Sequence, residues 1–325
     1  MSTKDVRMPL HAPDATNCFF AQEDLPSTLK KMQAKAQVVP LGNDITALAL
    51  AGVQWKDALI STRNDAAIIS GRGGYGRYQA TDCAFNVSRA KHRLDIRVNA
   101  EAGPNLSGVS AGSGRFISAF STDDAEAVQH RVQVNTAHDH AVLSLFETTA
   151  HAAIPSQAVI SNVLHLSAVR RARETWNESA PGHHLNDMLL HQGRTRFQCL
   201  PHVGKGRAWQ VAANLLGSFL AFLCDRKISV TRGVVAKGIL QLDRGLLGAD
   251  HTANGVMLMQ DGTRSFAIDT KQVHQLWVAV AGQHWQLEVY RRDGTALAVL
   301  AADPFHPADH WHDLLNALPL AANRC

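Results

Sequence analysis

The sequence predicts an α+β protein of two structurally similar repeats, each a large antiparallel β-sheet flanked by helices, with a cleft between them. Three observations carry this. Shifted by 170 positions, residues 115–149 lie over residues 285–319, so that Ile117, Ala119 and Phe120 fall on Leu287, Val289 and Tyr290. Asp123 falls on Asp293, and Asp139, His140 and Leu145 fall on Asp309, His310 and Leu315. A helical sentence closed by Pro and Gly also occurs twice, at 25–36 before Pro40 and Gly42 and at 188–204 ending on Pro201 and Gly204, an offset of 161. Strands adjacent in the chain and joined by short turns pair antiparallel, which favours α+β over a doubly wound parallel sheet. Two copies of one unit leave a cleft where they meet, a favoured place for a ligand.

The elements follow in order. Residues 1–25 mix Pro, Asp and Asn without periodicity and form a loose lead-in. An N-terminal repeat occupies 26–150. It opens with the helix at about 25–36, and its DAAIIS (65–70) and HRLDIRV (92–98) segments alternate like half-buried strands. Its 103–114 stretch, rich in Gly and Ser, reads as a loop. Residues 151–180 link the repeats, and VRRARETW within them reads as a solvated helix. The C-terminal repeat, 181–325, begins with helices at 188–198 and about 207–224. Strands follow at about 228–232, 238–242, 255–259, 265–269, 274–281, 284–290 and 296–301, then a last helix at about 308–317.

Composition narrows the function classes. An apolar content of 46% and a charged content of 18% over 325 residues describe a globular chain with length for two cores. A formal charge of +4 without a basic block does not imply nucleic acid, whereas a small anion held between arginines fits it. The five cysteines form no C-x-x-C pair and are odd in number, which argues against a structural zinc or a disulfide framework and fits a reducing cytoplasm. The first residues contain no apolar signal core. The longest apolar run, 211–224, spans 14 residues and includes Asn214 and Ser218, so it reads as a buried helix rather than a membrane span.

Two short motifs fail on context. Gly71, Gly73 and Gly76 match G-x-G-x-x-G, but a dinucleotide site needs a helix to begin at the last glycine, and RYQATDCAFNV alternates like a strand. A glycine-rich hairpin turn is the better reading. Gly108, Ser110 and Gly112 match G-x-S-x-G, yet a nucleophile elbow needs a hydrophobic strand before the serine and a helix after it, and neither stands there.

The candidate site is the pair His183–His184, which follows Pro181–Gly182 at the start of a helix and at the seam between repeats. Neutral imidazole ligates iron, zinc or copper. Arg196, 13 residues on, offers the planar fork that pairs both oxygens of a carboxylate. A metal ligand and a carboxylate anchor within one helix's reach suit haem, with iron at the centre and propionates at the edge. The competing reading is a pair of solvent-facing side chains.

Trp176, His183, Met188, Leu189, Arg196, Gln198, Gly204, Ala208 and Trp209 then stand, without a gap, where bacterial haemin-degrading and haem-trafficking proteins carry their W, H, two apolar positions, R-x-Q, G and A-W. VAKGILQL (235–242, with Lys237 for the usual Asn), HQLWVAV (274–280), LEVYRRDGTALAVL (287–300) and HWHDLLNAL (310–318) continue the likeness. ISTRNDAAIISGRGGYGRY (60–78), HRLDIRV and AEAVQHRVQV (125–134) carry it in the first repeat. Over about residues 45–325 the chain resembles a divergent member of this family, the HemS/ChuS/PhuS type. The resemblance implies His183 as the axial haem ligand, Arg97 as the catalytic residue on the iron's open side and Arg196 as a propionate partner; one shift of register makes His184 the ligand.

The family's basic residues after the V-W-V-V strand are replaced here by Ala279-Val280-Ala281-Gly282, and its Q-F-Y/F-G-x-R run by Val299-Leu300-Ala301-Ala302-Asp303-Pro304. The resemblance therefore implies a cytoplasmic haem-binding protein of haem uptake and iron acquisition that degrades haem or delivers it to an acceptor. A haem importer of the ABC class or a haem-accepting enzyme is the implied partner, with no nucleic acid and no membrane insertion. Set against it are a non-catalytic carrier and a haem-free duplicated scaffold.

Overall fold

The computed structural model describes residues 37–42, 45–76, 93–98, 105–111, 114–120, 128–134, 136–149, 166–178, 181–248, 250–305 and 309–321. The lead-in, the helix at 25–36 and most of the linker lie outside the described residues. The first copy contributes β1 (Gln37–Gly42), α1 (Ile45–Gly52), β2 (Ala58–Arg63), β3 (Ala67–Tyr75), β4 (Arg93–Val98), β5 (Asn105–Ala111), β6 (Gly114–Phe120), β7 (Val128–Val134) and α2 (Ala137–Thr149). Helix α3 (Leu166–Thr175) stands between the copies. The second copy begins with α4 (Pro181–Leu189), a 3-10 turn (Leu190–Gly193), α5 (Arg194–Cys199), β8 (Ala208–Val211) and α6 (Leu216–Asp225). It continues through β9 (Ser229–Ala236), β10 (Ile239–Leu246), β11 (Asp250–Ala253), β12 (Val256–Asp261), β13 (Arg264–Asp269), β14 (Gln275–Ala281), β15 (His284–Tyr290), β16 (Ala296–Ala302) and α7 (Asp309–Asn316).

Duplication is written into the strand order. The sheet runs β1-β5-β6-β7-β2-β3-β4-β10-β9-β16-β15-β14-β8. Taken inward from its two ends, β1-β5-β6-β7-β2-β3 and β8-β14-β15-β16-β9-β10 are the same series, with α1 and α6, and α2 and α7, in matching places. Strand β6 shifted by 170 is β15. Nearly all pairings are antiparallel; β3 and β4 add a short parallel contact at Gly74–Arg93 and Tyr75–Leu94.

The copies exchange strands where they meet. β4 of the first copy pairs antiparallel with β10 of the second, Leu240 opposite Arg97. In return β13 of the second pairs with β3 of the first, Ala267 opposite Ile68. Asn64, in the β2–β3 turn, reaches across: its Nδ2 donates to the Val235 carbonyl at 2.8 Å and the Leu297 carbonyl at 2.7 Å. Its Oδ1 accepts from the Ala66 and Ala67 amides, so one side chain closes its own turn and joins the other copy.

A buried polar chain makes a second seam. The Thr62 hydroxyl donates to Gln241 Oε1 at 2.7 Å, and its single proton is then spent. It must therefore accept from His130 Nδ1–H at 2.7 Å, which leaves His130 Nε2 to accept from the Tyr75 hydroxyl at 2.5 Å. All four side chains are buried, and burial pushes the His130 pKa down to about 3, so the ring is neutral.

Hydrophobic faces place the helices. In the first copy Leu48 of α1 and Leu143 of α2 pack with Trp55, Ile60, Tyr75 and Val132. The second copy buries both faces of its sheet: Leu216, Phe219, Leu220 and Leu223 of α6 and Trp311 of α7 cover one, and Leu185, Met188 and Leu189 of α4 cover Val235, Leu240, Leu242 and Val299 on the other. At about 25 cal/mol per Å² of apolar area such clusters supply most of the drive to fold. Among the described residues no helix is long and apolar enough to cross a membrane.

Three local expectations are corrected. Residues 105–111 are a strand, not a loop, because β1 and β6 hydrogen-bond it on both sides and pairing overrides the weak strand preference of Gly and Ser. Gly71–Gly74 lie within β3, not in a hairpin turn, with Gly71–Gly73 opposite Ala58–Ile60 of β2. Residues 208–211 pair with β14 as an edge strand, so the helix expected from about 207 begins only at Leu216.

Candidate functional site

Register brings Arg97 to α4. Residues directly opposite in an antiparallel pair share a sheet face. Leu240, opposite Arg97, belongs to the apolar cluster beneath α4, so the Arg97 side chain emerges on the face that α4 covers. A slip of one residue would send it to the other side.

Helix α4 divides cleanly. His184, Leu185, Met188 and Leu189 are buried against the sheet, whereas His183 and Asp187 are exposed and Asn186 is half-buried. Asn186 sits one turn beyond His183, since residues i and i+3 are neighbours on a helix. Its Oδ1 accepts a long hydrogen bond, 3.4 Å, from Arg97 Nη1. His183 of the second copy and Arg97 of the first thus both stand next to Asn186. The His183 ring makes no hydrogen bond among the described residues and is exposed.

His184 has no such freedom. Its Nε2 lies 3.1 Å from the Trp176 carbonyl, an acceptor only, so Nε2 carries the proton and donates. Its Nδ1 then accepts from Arg196 Nη1 at 3.0 Å. Burial first, and the Arg196 charge second, lower its pKa to about 4, so the ring is neutral with both nitrogens engaged.

Arg196 stands at the centre of this buried set, its side chain 1% exposed. Nε donates to both oxygens of Glu288, at 3.0 and 2.9 Å, and Nη2 to Oε1 at 2.5 Å. Nη1 also lies 3.5 Å from Asp187 of α4, and the guanidinium rests 4.8 Å over the Trp176 ring. The Trp176 indole N–H in turn donates to the Val280 carbonyl of β14 at 2.6 Å. Burial alone would raise the Glu288 pKa; Arg196, with hydrogen bonds from Tyr290 and Gln286, brings it below the usual carboxylate value. Burial would likewise lower the Arg196 pKa, and Glu288 raises it instead. The guanidinium that the sequence offered to a propionate is held inside the second copy by Glu288.

Gly193 makes this possible. It adopts φ +76 between the 3-10 turn and α5, and a Cβ there would meet the Ala296 Cβ at 2.7 Å. This turn folds α5 back under α4, and a left-handed conformation against a close neighbour is a glycine position.

Sequence reasoning missed Glu288 and Asn186. Glu288 had a signal: β15 is buried on both faces, so a lone acid among Leu287, Val289 and Tyr290 requires a buried cation. Asn186 had none, because its partner lies 89 positions away. Among the described residues no group of three or more His, Cys, Asp or Glu side chains is placed to hold a metal ion. Ser110, the serine of G-x-S-x-G, lies within β5 opposite Gln37 and Arg115.

The fold belongs to a class: a duplicated α+β protein whose copies meet along exchanged strands. Solved structures share it. Holo-PhuS, a heme-binding protein from Pseudomonas aeruginosa, is similar with a TM-score of 0.69 at 16% identity, over 96% of this chain and 100% of that one. ChuS, described as a heme oxygenase of E. coli, is similar with a TM-score of 0.65 at 16% identity, over 96% of this chain and 97% of that one. The heme degrading enzyme ChuS of Escherichia coli O157:H7, in a second structure, gives 0.67 at 16% identity over 87% of each chain. No family model and no curated protein matches the sequence.

Proposed function

We propose that this chain is a haem-binding protein of haem uptake and iron acquisition, working in the cytoplasm, and that it carries haem to an acceptor. The observation behind this reading is that His183 on α4, exposed and without a hydrogen bond among the described residues, shares its helix with Asn186, which binds Arg97 of the other copy. The full-length similarity in fold to PhuS and ChuS, proteins named for binding and degrading heme, agrees with it.

The residues fit the group. His183 offers an imidazole lone pair, while His184 has none to give as long as Trp176 and Arg196 engage it. Arg97 brings a planar guanidinium with five N–H donors to the same helix. Asn186 accepts from Arg97 and so orients it. Haem, when bound, would supply the iron and the dioxygen chemistry that degradation requires.

Delivery is favoured over turnover by what stands at the family's anchor positions. Ala279 and Ala281 are buried and apolar, and Asp303 is committed to the Ser229 hydroxyl at 2.5 Å and the Phe305 amide. None of the residues at 279–282 and 299–304 is a cation that could grip a propionate, which suits a carrier that releases its cargo. An importer supplying haem and an enzyme accepting it are the partners this role requires.

Titration of the apoprotein with haemin tests the reading. A saturable Soret shift that His183→Ala abolishes and His184→Gln leaves in place supports it. No shift, or one indifferent to His183, overturns it. Ascorbate in air then separates the two roles: a stable Soret band means carriage, and its loss with a tetrapyrrole product means degradation.

A further inference from the structure

We propose that Arg196 is a positioning residue: bound to Glu288 of β15, it holds α4 through His184 and Asp187 and so sets the direction in which His183 points. The proposal rests on the haem reading above and deepens it. It replaces a direct propionate contact with an indirect role for the same guanidinium.

The geometry carries it. Helix α4 has nine residues, and of its first two only Pro181, with φ fixed near −65°, is stiff by itself. Apolar contacts from Leu185, Met188 and Leu189 hold the helix to the sheet, but apolar contact is non-directional and leaves rotation about the axis loosely set. Hydrogen bonds are directional. Arg196 reaches α4 at two points one turn apart, the His184 ring at 3.0 Å and the Asp187 carboxylate at 3.5 Å. A third tie runs from His184 Nε2 to the Trp176 carbonyl, and Trp176 is fastened to β14. His183 is the residue before His184, about 100° around the helix. With the His184 ring aimed at the sheet, His183 is left exposed on the side of Asn186.

The anchor itself is fixed. Glu288 takes three contacts from Arg196, one from Tyr290 at 2.5 Å and one from Gln286 at 2.7 Å, and is 0% exposed. A buried ion pair of this kind adds little net stability over an apolar pair of the same volume, but it specifies one arrangement. That is what a group supporting a metal ligand must do, and loss of such support typically costs 10- to 100-fold in affinity for the metal group.

A thermodynamic cycle separates positioning from contact. Arg196→Met alone would leave Glu288 buried without its partner, so the paired variant Arg196→Met/Glu288→Leu is used, and Arg196→Lys serves as the conservative rescue. Haemin affinity is measured in the natural background and in His183→Gly with saturating imidazole, which supplies a ligand that α4 does not have to aim. Positioning predicts a loss of roughly tenfold in the natural background, partial recovery with Lys, and less than about a twofold change in the imidazole background. An equal loss in both backgrounds means a direct contact to haem and overturns the proposal; so does no loss in either.

A second readout needs no haem. Amide hydrogen exchange over residues 184–189 of the apoprotein should quicken at least about tenfold in the paired variant, with α6 unchanged. Unchanged exchange over α4 overturns the proposal even if haem binds through His183. Failure of His183→Gly to alter haemin binding at all instead sinks the haem reading, while the exchange result still decides whether Arg196 holds the helix.

Discussion

Arg97 and Asn186 meet at 3.4 Å across the seam between two copies of one fold, a strand residue of the first touching a helix residue of the second. Neither copy makes this contact by itself. The strand exchange that pairs β4 with β10 brings the two residues together.

Arg97→Ala should leave haemin bound through His183 but weaken small anions that enter opposite it. A charge-assisted hydrogen bond contributes about 1.5–3 kcal/mol, so fluoride affinity of the haemin-loaded protein should fall roughly tenfold or more. Equal fluoride affinity in the two proteins would remove Arg97 from the cleft's open side.

Stability should fall as the solution is acidified below neutrality. His184 and His130 have an ordinary pKa of 6.5, but folding holds them near 4 and 3, in both cases chiefly through burial. Above pH 6.5 both rings are neutral folded and unfolded, so their full contribution is present. Below it the unfolded chain binds protons that the native state refuses, and stability is lost down to the folded values. Each ring accounts for roughly 3 kcal/mol or more over that window. Urea midpoints at pH 7.5, 6 and 5 should fall in step, and His184→Gln should flatten the slope by one proton. A midpoint constant over this range would contradict the assignment of both rings as buried neutral groups.

Tyr75→Phe removes the only proton offered to His130 Nε2 in the Tyr75–His130–Thr62–Gln241 chain. Leaving a buried acceptor without a donor costs about 1–3 kcal/mol, and Thr62→Val should cost a similar amount by orphaning Gln241 Oε1. The double variant should lose less than the sum, because the two sites share one chain. Chemical denaturation of the four proteins gives the coupling directly; strict additivity would mean that the chain is not continuous.

Asn64 offers an unusual contrast. Asn64→Ala gives up two hydrogen bonds donated to second-copy carbonyls and two accepted by Oδ1 in its own turn, at an expected cost of about 2–4 kcal/mol. Asn64→Asp keeps the acceptors but sets an anionic oxygen against the Val235 and Leu297 carbonyls. It should be the worse of the two, and the more so at neutral than at acid pH. If Asp is tolerated better than Ala, the turn rather than the seam is what Asn64 serves.

Much of the architecture was legible because it is local or repeated. The self-overlap of 170 positions located β6 and β15 as counterparts, and alternation in 265–269, 274–281 and 284–290 placed β13, β14 and β15 within one residue of their ends. Strand β5 was missed because NLSGVSA has the composition of a loop, and only its neighbours β1 and β6 make it a strand. Strand β8 was absorbed into a predicted helix because AWQV runs on into an apolar segment, and its pairing with β14 lies some 65 positions away, from Val211 to Leu276.

By itself the sequence determined the repeat, the α+β class and a short roster of chemical candidates: His183, His184, Arg196 and Arg97. Tertiary structure alone sorted their places. Two adjacent histidines look alike in a sequence, but on a helix they point about 100° apart, and the sheet beneath α4 turned one inward to Trp176 and Arg196 and left the other exposed. Arg196 met Glu288 because β15 lies under α5, and Arg97 reached α4 because β4 joined the other copy's sheet in one register. Such pairings are set by long-range strand order, which hydrophobic periodicity constrains face by face but does not specify partner by partner.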